Sequence, residues 1–295
     1  MKFKELLYMF GLKPKVKSFG FDIVDIEFDD NQTCQWALWK NPKNQHSLPR
    51  IKDYSVLKLF LKSGDFAIDL GAHVGDTTLS MGLCVGKEGL VLALEPNPAT
   101  YCVLEANSKL NQDITHIVPV NVAAMDHDGS YVFQYNEPSL MNGGYQKGIS
   151  RFRHASFFNV DVKGVNLSQL LMRDYKEKLN NLKFIKTDLE GGDYTAFLTI
   201  KDIVKKHMPV IQSEINGVMS TSTRNNYVQN LKALNYHVFS LSSETLESIQ
   251  DLTQEMIDSE ETFDIFAISP AMLENFKESS INSDIVQWWP GKILC

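Results

Sequence analysis

The succession of apolar runs along the chain predicts an α/β fold, a mainly parallel sheet with helices on both faces. Three observations carry that prediction. From about residue 65, short β-rich runs alternate with stretches of helical period, which is how α/β proteins read. The first run leads into Gly71 and Gly75, placed where a backbone turns tightly from strand to helix and lets a ligand come close. The second run ends at Glu95, roughly twenty residues past Gly75, where α/β cofactor folds hold a ribose by its hydroxyls.

Taken in order, residues 1–62 lack the rhythm and form a lead-in segment, in which the strict alternation of Phe21-Asp-Ile-Val-Asp-Ile-Glu-Phe28 predicts a strand. The apolar stretch Leu6 to Leu12 is too short to span a bilayer, and Lys13, Lys15 and Lys17 follow it without a cleavage pattern. A cytoplasmic protein with no transmembrane segment is expected. Residues 63–270 form the main domain. Its seven predicted strands are Phe66–Leu70, Leu90–Leu94, Thr115–Asn121, Lys183–Asp188, Pro209–Glu214, His237–Leu241 and Phe263–Ile268. Helices are predicted over Pro98 to Leu110, with Tyr101, Leu104 and Ser108 on one face, and over Thr221 to Leu234, with Tyr227, Leu231 and Leu234. The connections suit parallel strands with crossovers.

Residues 125–165 interrupt the rhythm. Two alternating runs, Tyr131–Tyr135 and Phe158–Lys163, surround a Gly-rich loop, so a β excursion is inserted between the third and fourth strands. Inserted loops often carry substrate contacts, which nominates Asn142, Tyr145 and His154; the alternative for Met141–Tyr145 is a mobile turn. Residues 271–295 form a tail whose Trp288 and Trp289 are expected to pack on the core rather than on a partner.

Composition narrows the function. With 43% hydrophobic and 22% charged residues over 295 positions the chain is globular. Its net charge of -7 argues against a surface that tracks phosphate backbones, so nucleic acid is not an expected partner. The acidic residues from Glu244 to Asp264, free of Lys and Arg, read as a solvated helix and loop. Cys34, Cys84, Cys102 and Cys295 are far apart and support neither a zinc site nor a disulfide framework.

The dinucleotide fingerprint G-x-G-x-x-G would need glycine at 73 and 76, where His73 and Asp76 stand. An acidic residue at the helix start also opposes a pyrophosphate. A ligand with a ribose and no phosphate fits both Gly71–Gly75 and Glu95, and S-adenosylmethionine is such a ligand.

The strings IDLGAHVGDTT from residue 68, LEPNPATYCVLEAN from 94, NVAAMDHDGS from 121, FIKTDLEGGDYTAFL from 184 and PVIQSEI from 209 resemble the FkbM-type S-adenosylmethionine-dependent methyltransferases over roughly residues 60–270. The resemblance implies a Rossmann-like, seven-stranded class I methyltransferase sheet whose last strand is antiparallel. It implies methyl transfer to a hydroxyl of a sugar or other polyhydroxylated small molecule or glycan. It also places Asp69, Gly71, His73, Gly75 and Thr77 around the methionine portion of the cofactor, Glu95 with Asn97 at the ribose, and Asn121 and Ala123, ending the third strand, near the adenine. The alternatives are an exposed loop imidazole for His73 and a turn residue for Asn97.

Methyl transfer needs positioning and one base. Lys186, Asp188 and Glu190 alternate at the end of the fourth strand and share one face until Gly191 and Gly192, and Glu214 ends the fifth. Carboxylates converging near a lysine push their pKa values apart. Asp188 is the first choice for the base and Glu190 the second. Other readings are a Lys186–Glu190 ion pair with Asp188 capping the next helix, Mg²⁺ held by Asp188, Glu190 and Glu214, and His154 as a base or anion contact. The rival functions are an NAD(P)-dependent oxidoreductase and a non-catalytic binding module.

Overall fold

The structure, a computed structural model, describes residues 15–28, 32–44, 48–135, 138–140, 143–145, 158–241 and 249–274. Strands β1 (Phe21–Glu27) and β2 (Thr33–Trp39) form an antiparallel hairpin, followed by helix α1 (Ile51–Leu57). The main sheet begins with β3 (Phe66–Leu70), α2 (Asp76–Val85), β4 (Leu90–Leu94), α3 (Pro98–Leu110) and β5 (Ile117–Val120). Then come β6 (Ala123–Met125), β7 (Gly129–Tyr135), β8 (Gly143–Tyr145) and β9 (Phe158–Asn166). The chain continues through α4 (Leu167–Asp174), a 3-10 turn at Lys176–Asn181, β10 (Leu182–Thr187), α5 (Asp193–His207), β11 (Val210–Ile215) and α6 (Thr221–Ala233). It closes with β12 (His237–Leu241), β13 (Ile249–Asp251), α7 (Gln254–Asp258) and β14 (Phe263–Ile268).

The main sheet has eight strands in the order β13-β12-β14-β11-β10-β3-β4-β5. From β11 to β5 all neighbours are parallel, while β14 inserts antiparallel between β11 and β12. This is the Rossmann-like arrangement of a class I methyltransferase, with the last strand reversed as expected. The expected count of seven strands is corrected to eight. The extra one, β13, pairs three residues with β12 at the sheet's edge, and an edge strand bonded on one side needs no apolar run to announce it. At the opposite edge, β5 tolerates Pro119 because its outer side has no ladder to donate to.

Helices cover both faces. One face buries Ala67, Val91, Phe184 and Val210 under α1, α2 and the hairpin. The other buries Ile68, Leu92, Ile185 and Ile211 under α4, α5 and α6. The strands therefore read as continuous apolar runs rather than alternating ones, as strands buried on both sides do. The insertion makes a separate sheet of four strands, order β6-β9-β7-β8.

The described residues between 15 and 62 join the first of these cores. Trp36 and Trp39 are buried there with Tyr54 and Phe60, each such side chain worth roughly 1.5–3 kcal/mol of transfer free energy. Two asparagines, Asn107 in α3 and Asn111 at its C-cap, complete the docking. Asn107 Oδ1 accepts from the Ala37 N–H at 2.6 Å, and its amide donates to the Val74 carbonyl at 2.8 Å. Asn111 Oδ1 accepts from the Gln35 N–H at 3.0 Å while its amide donates to the Gln35 carbonyl at 2.8 Å. The tail tryptophans lie outside the described residues.

Candidate active site

Strands β3 and β10 are parallel neighbours, with Asp69 opposite Lys186 and Leu70 opposite Thr187, so the segments that follow them leave at one end of the sheet. Gly71 has φ +79°, and a Cβ there would collide with the Asp188 carbonyl oxygen; only glycine lets the two loops lie this close. Gly75, at φ +95°, caps α2. Between them His73 is held in the left-handed region at φ +53°, where its N–H donates to Glu95 Oε2 at 2.8 Å. Its ring is not the exposed imidazole of the sequence alternative. It meets the Trp39 indole edge-on at 6.1 Å, and burial pushes its pKa down.

Glu95 is the centre of this half. Its Oε1 accepts from the Asn97 N–H at 2.8 Å and from Thr100 Oγ1 at 2.9 Å. Burial nonetheless pushes the carboxyl up to about 7, the three hydrogen bonds offsetting only part of the desolvation. Asn121 donates to the Glu95 carbonyl at 2.8 Å and so pins this segment to the end of β5. Asn97 is the N-cap of α3, accepting from Ala99 N–H, and its amide donates to the Leu140 carbonyl of the insertion at 2.8 Å; both ends of its side chain are used structurally. Ala123 does not end the third strand: β5 stops at Val120, and Ala123 is buried in β6, paired with Gly164. The expectation followed an apolar run that in fact continues from one sheet into the next.

Asp69 and Lys186 are both buried. Asp69 Oδ2 accepts from Thr78 Oγ1 at 2.6 Å, and Oδ1 lies 3.9 Å from Lys186 Nζ. Lys186 Nζ also pairs with Asp188 Oδ2 at 3.3 Å. Although burial opposes the charge, Asp188 and Asp69 together hold the ammonium well above the ordinary lysine value. The alternative Lys186–Glu190 pair is therefore corrected, because the lysine spends its charge on these aspartates. Asp188 is not a helix cap either; Gly192 is the N-cap of α5. Nor do Lys186, Asp188 and Glu190 share one strand face to the end, since β10 stops at Thr187 and Glu190 turns at φ +52°.

Glu190 and Glu214 share the amide of Asn216, which donates to Glu190 Oε2 at 3.3 Å and to Glu214 Oε2 at 2.9 Å. Burial first, and then the charge of Asp188, push Glu214 up to about 8 and move Glu190 in the same direction. Asp193 holds the loop from inside, accepting from the N–H groups of Leu189 at 3.1 Å and Gly191 at 3.3 Å. Of the three carboxylates of the Mg²⁺ reading, Asp188 is thus paired with Lys186 while Glu190 and Glu214 share one amide. Among the described residues no group of three or more His, Cys, Asp or Glu is arranged to hold a metal ion.

Three contributors escaped the sequence reading. Asn216 continues the alternation Glu214-x-Asn216, the same spacing as Asp188-x-Glu190, and that repetition was the available signal. Arg50 pairs with Asp76 at 3.2 Å; against the desolvation that raises it, this charge brings Asp76 below its ordinary value, so the acid at the helix start is compensated. Tyr135 ends β7, buried, and its hydroxyl feels the charges of both Glu95 and Glu190. Of the insertion residues nominated from sequence, Tyr145 is exposed on β8 and packs edge-on to Tyr131 at 5.2 Å. Asn142 and His154 lie outside the described residues.

The family model for the methyltransferase FkbM domain matches residues 69–259, a span that takes in both loops. The chain belongs to the FkbM methyltransferase family. It is 23% identical over 176 residues to methyltransferase sdnD of Sordaria araneosa, covering 52% of this chain and 66% of that protein. It is similar to the structure of methyltransferase FkbM from Methylobacillus flagellatus KT, with TM-score 0.44, 14% identity, and 77% of this chain and 50% of that one covered. It is also similar to a putative rRNA-methylase from Clostridium thermocellum, with TM-score 0.41, 10% identity, and 73% of this chain and 92% of that one covered. The FkbM chain thus spans about two thirds of sdnD and half of the Methylobacillus protein. Membership displaces the oxidoreductase alternative and implies S-adenosylmethionine as the methyl donor. The residues fit such a donor: Asp69 Oδ1 and Thr77 Oγ1 are buried without hydrogen-bond partners beside the glycine turn, and Glu95 Oε2 has lone pairs to spare.

Proposed function

We propose that this chain is an S-adenosylmethionine-dependent O-methyltransferase acting on a neutral polyhydroxylated acceptor, a sugar or a molecule like one. The observation that carries this reading is the cluster at the ends of β10 and β11, in which two carboxyls of raised pKa share one carboxamide next to the loop that Gly71 touches. Carboxyl and carboxamide groups are the natural partners of hydroxyls, which donate and accept at once. The cations that this region feels, Lys186 and Arg50, are each paired with aspartates. Among the described residues these pairings leave no unpaired cation there for a phosphorylated acceptor or a nucleic acid.

In this reading Asp69, Gly71, His73, Gly75 and Thr77 border the methionine end of the donor, Glu95 takes its ribose, and Asn121 with Ala123 borders the base. When bound, the donor supplies an electrophilic methyl carbon whose bond to sulfur breaks as the acceptor oxygen bonds to it. The acceptor's hydroxyl proton passes to Glu214. A base works best with a pKa near the operating pH, and Glu214 meets that condition, whereas Asp188 is tied to a buried ammonium. Asp188 instead positions Lys186 and, by its charge, raises Glu214. Glu190 and Asn216 hold the acceptor's neighbouring oxygens. No helix among the described residues is long and apolar enough to cross a membrane.

The test supplies methyl-labelled S-adenosylmethionine with a panel of neutral sugars, sugar phosphates, amines and short RNAs. Label in a base-stable ether on a neutral sugar is the expected result. Label only in RNA, or in an amine, would overturn the acceptor assignment.

A further inference from the structure

We propose that Tyr135, delivered by the inserted sheet, is a cofactor-contacting residue whose phenol donates a hydrogen bond to a ribose hydroxyl of the methyl donor held by Glu95. The inference rests on the cofactor reading above and adds a wall to that pocket from a part of the chain outside the glycine turn.

Buried tyrosine hydroxyls normally find partners, and three other buried tyrosines among the described residues do. Tyr131 donates to the His127 carbonyl at 3.0 Å, Tyr227 to Ser213 Oγ at 3.0 Å, and Tyr236 to the Pro209 carbonyl at 2.6 Å. Tyr135 is 3% exposed; its hydroxyl makes no hydrogen bond among the described residues and is not fully sealed from solvent. Its position is fixed on three sides. Across the small sheet it pairs with Gly143 and Phe158. The insertion is tied to the Glu95 segment through the Asn97 amide and the Leu140 carbonyl. On the other side Gly144 packs on the Asp188–Gly192 loop, where a Cβ would lie 3.5 Å from Glu190 Cβ. Tyr135 lies in one apolar cluster with Leu140, against which Ala99 of α3 packs, so it sits on the Glu95 side of the insertion, and Glu95 and then Glu190 are the charges its hydroxyl feels.

The chemistry is complementary. Burial and both carboxylates hold the phenol in its neutral form, so it is a donor. Glu95 is an acceptor whose Oε2 takes one N–H. A hydroxyl set between them donates to the carboxylate and accepts from the phenol, which satisfies both groups with one atom.

The test is calorimetric titration of the full chain with S-adenosylhomocysteine, in wild type and in Tyr135→Phe, with Tyr131→Phe as the control that loses a hydrogen bond of the same sheet. The expected result is affinity about tenfold weaker in Tyr135→Phe, unchanged affinity in Tyr131→Phe, and an unchanged melting temperature in the first. Equal affinity of wild type and Tyr135→Phe overturns this inference and leaves the cofactor reading standing. No binding to wild type overturns the cofactor reading itself. Should Tyr135→Phe fold poorly, 3-fluorotyrosine at this position keeps the hydroxyl, and its ¹⁹F signal is expected to shift on adding S-adenosylhomocysteine; an unmoved signal overturns the contact.

Discussion

The loop around Glu95 and the loop around Glu190 meet at one end of the same sheet, but they are built differently. Around Glu95 the carboxylate is wrapped by two backbone N–H groups and a hydroxyl, and neighbouring asparagines tie its segment to β5 and to the insertion. Around Glu190 and Glu214 one amide serves two carboxyls, and Asp188 repels both. The first arrangement is rigid and nearly complete before any ligand arrives, which suits a donor of fixed shape. The second is held under electrostatic tension that an acceptor's hydroxyls would relieve. In the proposed function the first is the cofactor half and the second the acceptor half, so the acceptor side is the one left open to variation.

The largest effect should come from the ion pair that joins the halves. Lys186→Met leaves Asp69 buried against an apolar chain, and breaking a buried pair from one side costs about 3–5 kcal/mol; urea unfolding should show that loss, and a change below about 1 kcal/mol would mean the pair is not what binds the two loops. Next, Glu214→Gln should lower kcat by roughly 10²–10⁴-fold without changing affinity for S-adenosylhomocysteine. In wild type Glu214 must be ionised to take the proton, so the rate should climb with pH toward its value of about 8 and level above it; the glutamine variant should lose that limb. Asp188→Asn should cost about tenfold in kcat and move the same limb to lower pH, because the negative charge that helps raise Glu214 is gone. A limb that stays in place would return the role of base to Asp188.

Two smaller effects address the cofactor half. Glu95 has its carboxyl raised from 4.5 to about 7 in the fold, so its contribution to stability is fully present below 4.5 and is lost as pH rises through 7. Glu95→Gln should flatten the decline in unfolding free energy across that window. Asn97→Ala removes a helix cap, worth about 1 kcal/mol, together with the tether to Leu140; thermal unfolding should register the former and weaker S-adenosylhomocysteine binding the latter.

The sequence made the cofactor half legible because its parts are local. A strand, a glycine turn and an acid at the next strand's end lie within Asp69 to Asn97, and β3, β4 and α3 fall where the pattern put them. The acceptor half is assembled from distant places, so its residue types were visible but their partners were not. Lys186 chose Asp69 and Asp188 over Glu190 because β3 lies alongside β10, a fact no spacing reveals. Tyr135 looked like one more inward residue of an alternating strand until the insertion was seen folded against Glu95 and Glu190. The lead-in was unreadable for a similar reason: Trp36 and Trp39 acquire a core only when Asn107 of α3 and Asn111 at its C-cap receive β2.

The most direct measurement of the central claim is calorimetric titration of the full chain with S-adenosylhomocysteine, with NADH in a parallel cell. Micromolar binding of S-adenosylhomocysteine alone is the predicted result. Binding of NADH alone, or of neither ligand by demonstrably folded protein, would contradict the assignment of Asp69 to Asn97 as a methyl-donor site.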